Sequence, residues 1–180
     1  VGPSAKVRTH HAAKKLAHQL IATGLALGID VETIITDGNQ PVGRGIGPAL
    51  EAHDVLSVLR NEKNAPQDLI ERSLMLAARL LKMAAKNDKE DEVSEIFYQD
   101  IARQTLESGK AYEKFISICQ SQGGFKEPTF APFKQTIFAR KKGIVSYFNN
   151  RFIAKFASLA GAPNAALAGL EMHVRLGDKV

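Results

Sequence analysis

Apolar residues return every three or four positions from Ala13 through Leu16, Ala17, Leu20 and Ile21 to Gly24, the period of one helix face. Thr9 precedes that run as an N-cap, and Gly28 follows it where a helix ends in a left-handed turn. Ile29, Val31, Thr33 and Ile35 then alternate, which predicts a strand. A loop rich in glycine and proline, Asp37 to Pro48, separates this strand from the next helical pattern.

Pro48 suits the first turn of that helix, where its missing N–H has no intrahelical partner, and Leu50, Val55, Val58 and Leu59 are its expected buried face. Pro66 opens another helix with the stripe Leu69, Ile70, Leu74, Ala77, Leu80 and Leu81. Its acids Asp68 and Glu71 come early and Lys82 and Lys86 late, as the helix dipole favours. The charge run "KNDKEDE" (Lys86 to Glu92) predicts a solvated loop, and two further helices are expected over Val93 to Glu107 and Lys110 to Gln122.

Composition shifts at Gly123-Gly124, after which Phe, Pro and Thr become frequent. "QTIFARKKGIVSYF" (Gln135 to Phe148) predicts two short strands around a basic turn ending in Gly143. Asn149 or Asn150 caps a helix with the stripe Phe152, Ile153, Phe156 and Leu159, closed by Gly161, and "LEMHVRLGDKV" predicts a last strand. Helix, tight turn, strand, glycine loop and helix make half of a doubly wound unit, so the fold class expected is α/β. The best division is near residues 123 to 133.

A chain of 180 residues, 44% hydrophobic and 24% charged, can bury a real core as one domain or one and a half. It contains no apolar run long enough to span a bilayer and opens on no signal-peptide pattern. The single cysteine, Cys119, excludes an internal disulfide framework and makes a reducing, cytoplasmic setting the expectation. It falls on the apolar side of a helix with Phe115 and Ile116, where packing is its expected role. A net charge of +5 suits an anionic ligand, but the basic residues are scattered rather than striped, which argues against a nucleic-acid footprint. Val1-Gly2-Pro3 and the closing "RLGDKV" both read as the middle of something, so a piece of a longer protein is expected.

Gly43, Gly45 and Gly47 let the backbone approach an anion closely. Their spacing is G-x-G-x-G-P rather than the dinucleotide G-x-G-x-x-G, and Pro48 removes a donor where phosphate would sit. The expectation is a structural corner that uses its backbone carbonyls. In "VGPSAKVRT", Ser4 offers a hydroxyl and Lys6 a cation just before a helix N-terminus, which suits a phosphate and equally suits a solvated surface loop. His11 and His18 lie a heptad apart, too far to share a small ion, and His10, His53 and His173 are isolated in sequence.

"TDGNQPVGRGIGPALEA" resembles the signature TD-x-x-QP-x-G…G-x-ALE of the nucleoside phosphorylase family that holds thymidine phosphorylase, pyrimidine-nucleoside phosphorylase and AMP phosphorylase. "VGPSAKVRT", "SGKAYEKF", "QGG" and "LGDKV" follow in the family's order, so the resemblance covers essentially the whole chain. The wording of the first two motifs looks closer to the AMP phosphorylase branch.

The resemblance implies a reaction in which inorganic phosphate attacks the anomeric carbon of a nucleoside and releases base and pentose 1-phosphate. It implies a homodimer with no required cofactor, and residues 1–125 as the later part of the central α/β domain with 133–180 beginning an α+β C-terminal domain. It also implies an absence, because the family's phosphate loop and base-holding residues lie before the counterpart of Val1. The isolated piece is therefore expected to be inactive.

By the same resemblance Lys6, with Ser4 as its neighbour, contacts substrate, and Lys6 hints at an added anionic group such as a nucleotide phosphate. Val42, Gly45 and Asp54 match positions that give oxygen ligands to a monovalent or calcium ion, with Asp54 one methylene shorter than the usual Glu. "GAPNAALAG" (Gly161 to Gly169) lacks the charged or glycine-rich run of relatives, which removes support for a closure role. The alternatives are an AMP phosphorylase acting on nucleoside monophosphates, and a non-catalytic anion-binding or dimerisation module.

Overall fold

A computed structural model of the chain describes residues 1–85 and 94–180. The run "KNDKEDE" and the start expected at Val93 lie outside the described residues. In chain order the elements are α1 (His10–Ala26), β1 (Gly45–Ile46), α2 (Pro48–Leu59), α3 (Gln67–Ala85), α4 (Glu95–Glu107), α5 (Lys110–Ser121), α6 (Asn150–Leu159) and β2 (Leu170–Glu171).

The caps are the ones that the side chains dictate. Thr9 Oγ1 accepts the Ala12 N–H, Ser94 Oγ that of Phe97 and Asn149 Oδ1 that of Phe152, each satisfying an N–H with no partner inside its helix. Gly28 follows α1 at φ +67, a conformation open to glycine at little cost. Pro48 occupies the first turn of α2, and Pro66 O accepts the Leu69 and Ile70 N–H groups at the start of α3.

The main core lies among α2 to α5. Val58, Leu74, Ala102 and Leu106 are buried together, with Leu59, Leu69, Ile70, Ala77 and Ala111 packed around them. On α2 the buried face is Ala49, Asp54, Leu56, Ser57 and Val58. Val55, expected inside, is 42% exposed, because the helix turns Asp54 inward to meet the glycine loop and buries Ser57 on the same face. On α3, Leu74 and Ala78 are buried while Leu80 and Leu81 face outward.

The β structure differs most from expectation. A strand requires a partner to share its backbone hydrogen bonds, and residues 29–38 run without turn or bend but form no ladder. The two strands expected within Gln135 to Phe148 do not pair with each other. Residues 143–145 bond instead to 177–180, through Gly143 and Val180 in both directions and a bridge between Ile144 and Lys179. Of the expected last strand, Leu170 and Glu171 pair antiparallel with Ile46 and Gly45. Helix α6 buries Ala157 and leaves Phe152, Phe156 and Leu159 open, since no described element lies over that stripe. The fold is thus helical with little sheet, which is compatible with the α/β class. Among the described residues no helix is long and apolar enough to cross a membrane.

Candidate functional site

The glycine corner is a hub on which four parts of the chain converge. Gly43 and Gly47 sit at φ +75 and +132, so successive peptide N–H groups turn toward one side. Such a concavity attracts an anion, and here the protein supplies the anions itself. Asp54 Oδ2 accepts the N–H groups of Arg44 and Gly45, the latter at 2.7 Å. Asp68 Oδ2 accepts that of Gly43 at 3.2 Å, and Glu51 Oε1 that of Gly47 at 3.0 Å.

The carbonyls on the other side meet Arg175. Its guanidinium donates to Pro41 O at 2.9 Å and Gly43 O at 2.6 Å, and it pairs with Asp68 at 3.1 Å. Leu176 N–H donates to Gln40 Oε1, and β2 pairs with Gly45 and Ile46. The corner therefore uses its carbonyls, as expected, and also commits its N–H groups to internal carboxylates.

Asp54 is buried, and its Oδ1 lies 3.8 Å from Arg44 Nε. Arg44 also donates to Asn64 O at 2.7 Å. Among the described residues no three His, Cys, Asp or Glu side chains converge as a metal site, so an ion here would lean on backbone carbonyls. Val42 O accepts no hydrogen bond among the described residues, and Gly45 and Asp54 adjoin one another.

The turn at Val1 to Thr9 sits at the other end of the same loop. Gly2 O accepts the Ala5 N–H, folding Ser4 inward. The buried Ser4 Oγ donates to Phe148 O at 3.4 Å and accepts the Asn150 N–H at 3.2 Å, while Asn150 Nδ2 donates to Gly38 O. Ser4 thus ties the turn to the start of α6, and Lys6 stands exposed beside it. The turn meets the loop at Gly38, whose N–H donates to Val1 O and whose carbonyl accepts from Asn150 Nδ2, and Asp54 meets it at Arg44 and Gly45.

A cleft of about 180 Å³ opens beside the corner, with Arg44, His53, Asp54, Arg60, Glu62 and Phe130 in its lining. His53, isolated in sequence, stacks on Phe130 with ring centres 3.8 Å apart and planes within 4°. Lys134 Nζ stands 4.5 Å from the Phe130 ring centre. Arg60 grips Glu127 through two bonds of 2.8 and 2.6 Å and donates to Tyr112 Oη at 3.1 Å. The hydrogen bond to Glu127, then that to Tyr112, raises the Arg60 pKa, and the Arg60 bond lowers that of Glu127.

Sequence reasoning missed the long-range partners of Arg175, Asp68 and Asn150, and the Arg60–Glu127 pair. Each partner lies 67 or more positions away, except for Asp68, which bonds Gly43 from 25 positions off. No local pattern marks such pairs.

No protein-family model matches the chain. All 180 residues align with curated proteins carrying the name "Putative thymidine phosphorylase": 52% identical in Hahella chejuensis, 48% in Legionella pneumophila strain Corby and 46% in Tolumonas auensis. In each case the alignment takes in 100% of this chain and 34% of the relative, so the chain spans about a third of the length of the curated relatives it matches. The resemblance read from the motifs is borne out by these matches.

Proposed function

We infer that this chain is part of a nucleoside phosphorylase of the thymidine phosphorylase family, whose full-length parent transfers a pentosyl group from a nucleoside to inorganic phosphate. One observation carries the reading: 52% identity to such a relative with no part of the chain left unmatched. The phosphate oxygen forms a bond to the anomeric carbon as the bond to the base breaks, leaving pentose 1-phosphate and the free base. Catalysis of that kind rests on positioning the anion and stabilising the charge that develops. In the reading proposed, residues 1–125 are the later part of the central α/β domain and 133–180 begin the C-terminal one. The parent is a cytoplasmic homodimer in nucleotide salvage, and the 180 residues alone are inactive.

The role of the glycine corner is architectural. It joins the turn carrying Ser4 and Lys6 to α2 and to β2, and so sets where those side chains stand. Lys6 is exposed, free to meet an anionic group on the substrate, whereas Ser4 acts by holding the turn. Val42 O, Gly45 O and Asp54 Oδ1 are the oxygens offered to a monovalent cation or calcium, which would supply a fixed positive charge to the loop.

The test is an assay of the full-length parent with thymidine and phosphate. Release of thymine that depends on phosphate supports the reading, and no phosphorolysis of any nucleoside or nucleoside monophosphate overturns it. A second reading, AMP as substrate, is favoured by exposed Lys6, and the same assay with AMP decides between them.

A further inference from the structure

Lys6 stands between the two residues that close its turn on Gly2. Ala5 N–H donates to Gly2 O at 2.9 Å, and Gly2 N–H donates to Val7 O at 3.3 Å. Gly2 in turn lies against Gly38, so close that a methyl group on it would stand 2.5 Å from Gly38 O. The place of the Lys6 backbone therefore follows from the places of Gly2 and Gly38.

A closed ring of hydrogen bonds fixes both. Gly38 N–H donates to Val1 O at 3.0 Å. Gly38 O accepts from Asn150 Nδ2 at 3.0 Å. Asn150 N–H donates to Ser4 Oγ at 3.2 Å, and the buried Ser4 returns the ring to the turn that began at Val1. Among the described residues outside the turn, Asn150 alone bonds both the turn and Gly38.

The amide of Asn150 is not needed by the helix that carries it. Asn149 Oδ1 already caps α6 by taking the Phe152 N–H. The Asn150 N–H opens α6 and has no acceptor within the helix, and Ser4 Oγ supplies one. That leaves the side chain for Gly38 O, and a carbonyl partner demands a donor. Aspartate has the same shape but, ionised, no hydrogen to donate. Asn150 Oδ1 is buried and accepts no hydrogen bond among the described residues. A carboxylate oxygen in its place would be a buried charge with no donor, which is far more costly than a neutral group.

We propose that Asn150 is a positioning residue that sets where the Lys6 ammonium stands, and so governs how strongly the protein prefers a nucleoside monophosphate over the bare nucleoside. It acts through Lys6 rather than on the ligand, by holding Gly38 and Ser4 at a fixed separation. The start of α6, distant in sequence from Lys6, thereby takes part in ligand choice. The proposal rests on the reading above that exposed Lys6 meets an anionic group, and its test reads binding rather than turnover.

Calorimetric titration of the full-length parent with AMP and with adenosine decides it. The forms compared are wild type, Lys6→Ala, Asn150→Ala and the double variant. Asn150→Ala is expected to weaken AMP binding about tenfold, the scale of one hydrogen bond to a charged group, and adenosine binding less. In the Lys6→Ala background the same change is expected to add nothing to the loss of AMP binding, because the group that it positions is gone. Equal losses for AMP and adenosine, a loss that persists undiminished without Lys6, or no loss at all overturns the proposal. Wild type that fails to bind AMP, or that binds it as well without Lys6, overturns it too. Ser4→Ala opens the ring at its other bond and covers the case in which Asn150→Ala does not fold. It is expected to repeat the pattern, and a Ser4→Ala protein with its preference for AMP intact counts against the ring. A parent that binds as expected but releases no base from any nucleoside refutes the phosphorylase reading and leaves the role of Asn150 standing.

Discussion

Asp54 Oδ2 accepts the Gly45 N–H at 2.7 Å, so the first turns of α2 reach back to close the glycine loop from which that helix emerges. The same oxygen takes the Arg44 N–H. One buried carboxylate therefore satisfies two peptide groups that no sheet or helix would.

Asp54→Ala leaves both of these N–H groups without an acceptor. Each buried unsatisfied group costs about 1–3 kcal/mol, so the variant is expected to unfold at clearly lower denaturant in chemical denaturation of the full-length protein. Asp54→Asn keeps one acceptor oxygen and is expected to fall between the two. Equal stability of wild type and Asp54→Ala would show that the loop closes without this contact.

Gly45 and Gly109 separate two reasons for glycine. A methyl group at Gly45 would stand 2.4 Å from the Leu50 carbonyl carbon and 2.5 Å from its oxygen, in backbone that cannot move aside. At Gly109, φ is +80 but nothing lies within 4 Å. Gly109→Ala is expected to cost about 1–2 kcal/mol from the left-handed conformation alone. Gly45→Ala should cost more, by the overpacking of main chain against main chain. Thermal unfolding of the two variants side by side checks the order.

Arg175 holds two carbonyls and Asp68 with one planar fork. Lysine keeps the charge but cannot span both carbonyls in that geometry. Arg175→Lys is therefore expected to loosen residues 40–43, read as faster amide exchange at Gly43, with Arg175→Ala looser still. Identical exchange in Arg175→Lys and wild type would reduce the arginine to its charge.

The Arg60–Glu127 latch has a pH signature. Bonding to Arg60 lowers the Glu127 pKa below its ordinary 4.5. Its contribution is therefore complete above that ordinary value and is lost as pH falls through the lowered one. Arg60, raised, stays charged throughout. Chemical shifts of Tyr112, which shares Arg60 with Glu127, are expected to move in acid as Glu127 is protonated. Glu127→Gln should abolish the acid transition, and a transition retained in that variant would assign it to another group.

Lys6→Ala in the full-length protein is expected to weaken use of AMP more than use of thymidine, because only the former carries a phosphate for the ammonium to meet. Equal losses in kcat/KM would remove the reason to single out Lys6.

Local rules decided the helices and their ends. Thr9, Ser94 and Asn149 cap from within three residues, Pro48 stands where a helix lacks a donor anyway, and Gly28 turns where only a missing Cβ is needed. All of these depend on near neighbours, so the order of residues contains them. The motifs of the glycine loop likewise carried the resemblance to the phosphorylase relatives without any coordinates. The sheet and the corner's partners were decided otherwise. A strand exists only when a second backbone lies beside it, and residues 29–35 carry the alternation without that partner among the described residues. The ion pair of Arg175 with Asp68, and the stack of His53 on Phe130, join residues far apart in the chain. Such contacts arise when packing brings distant segments together, and no spacing along the chain encodes which segments those are.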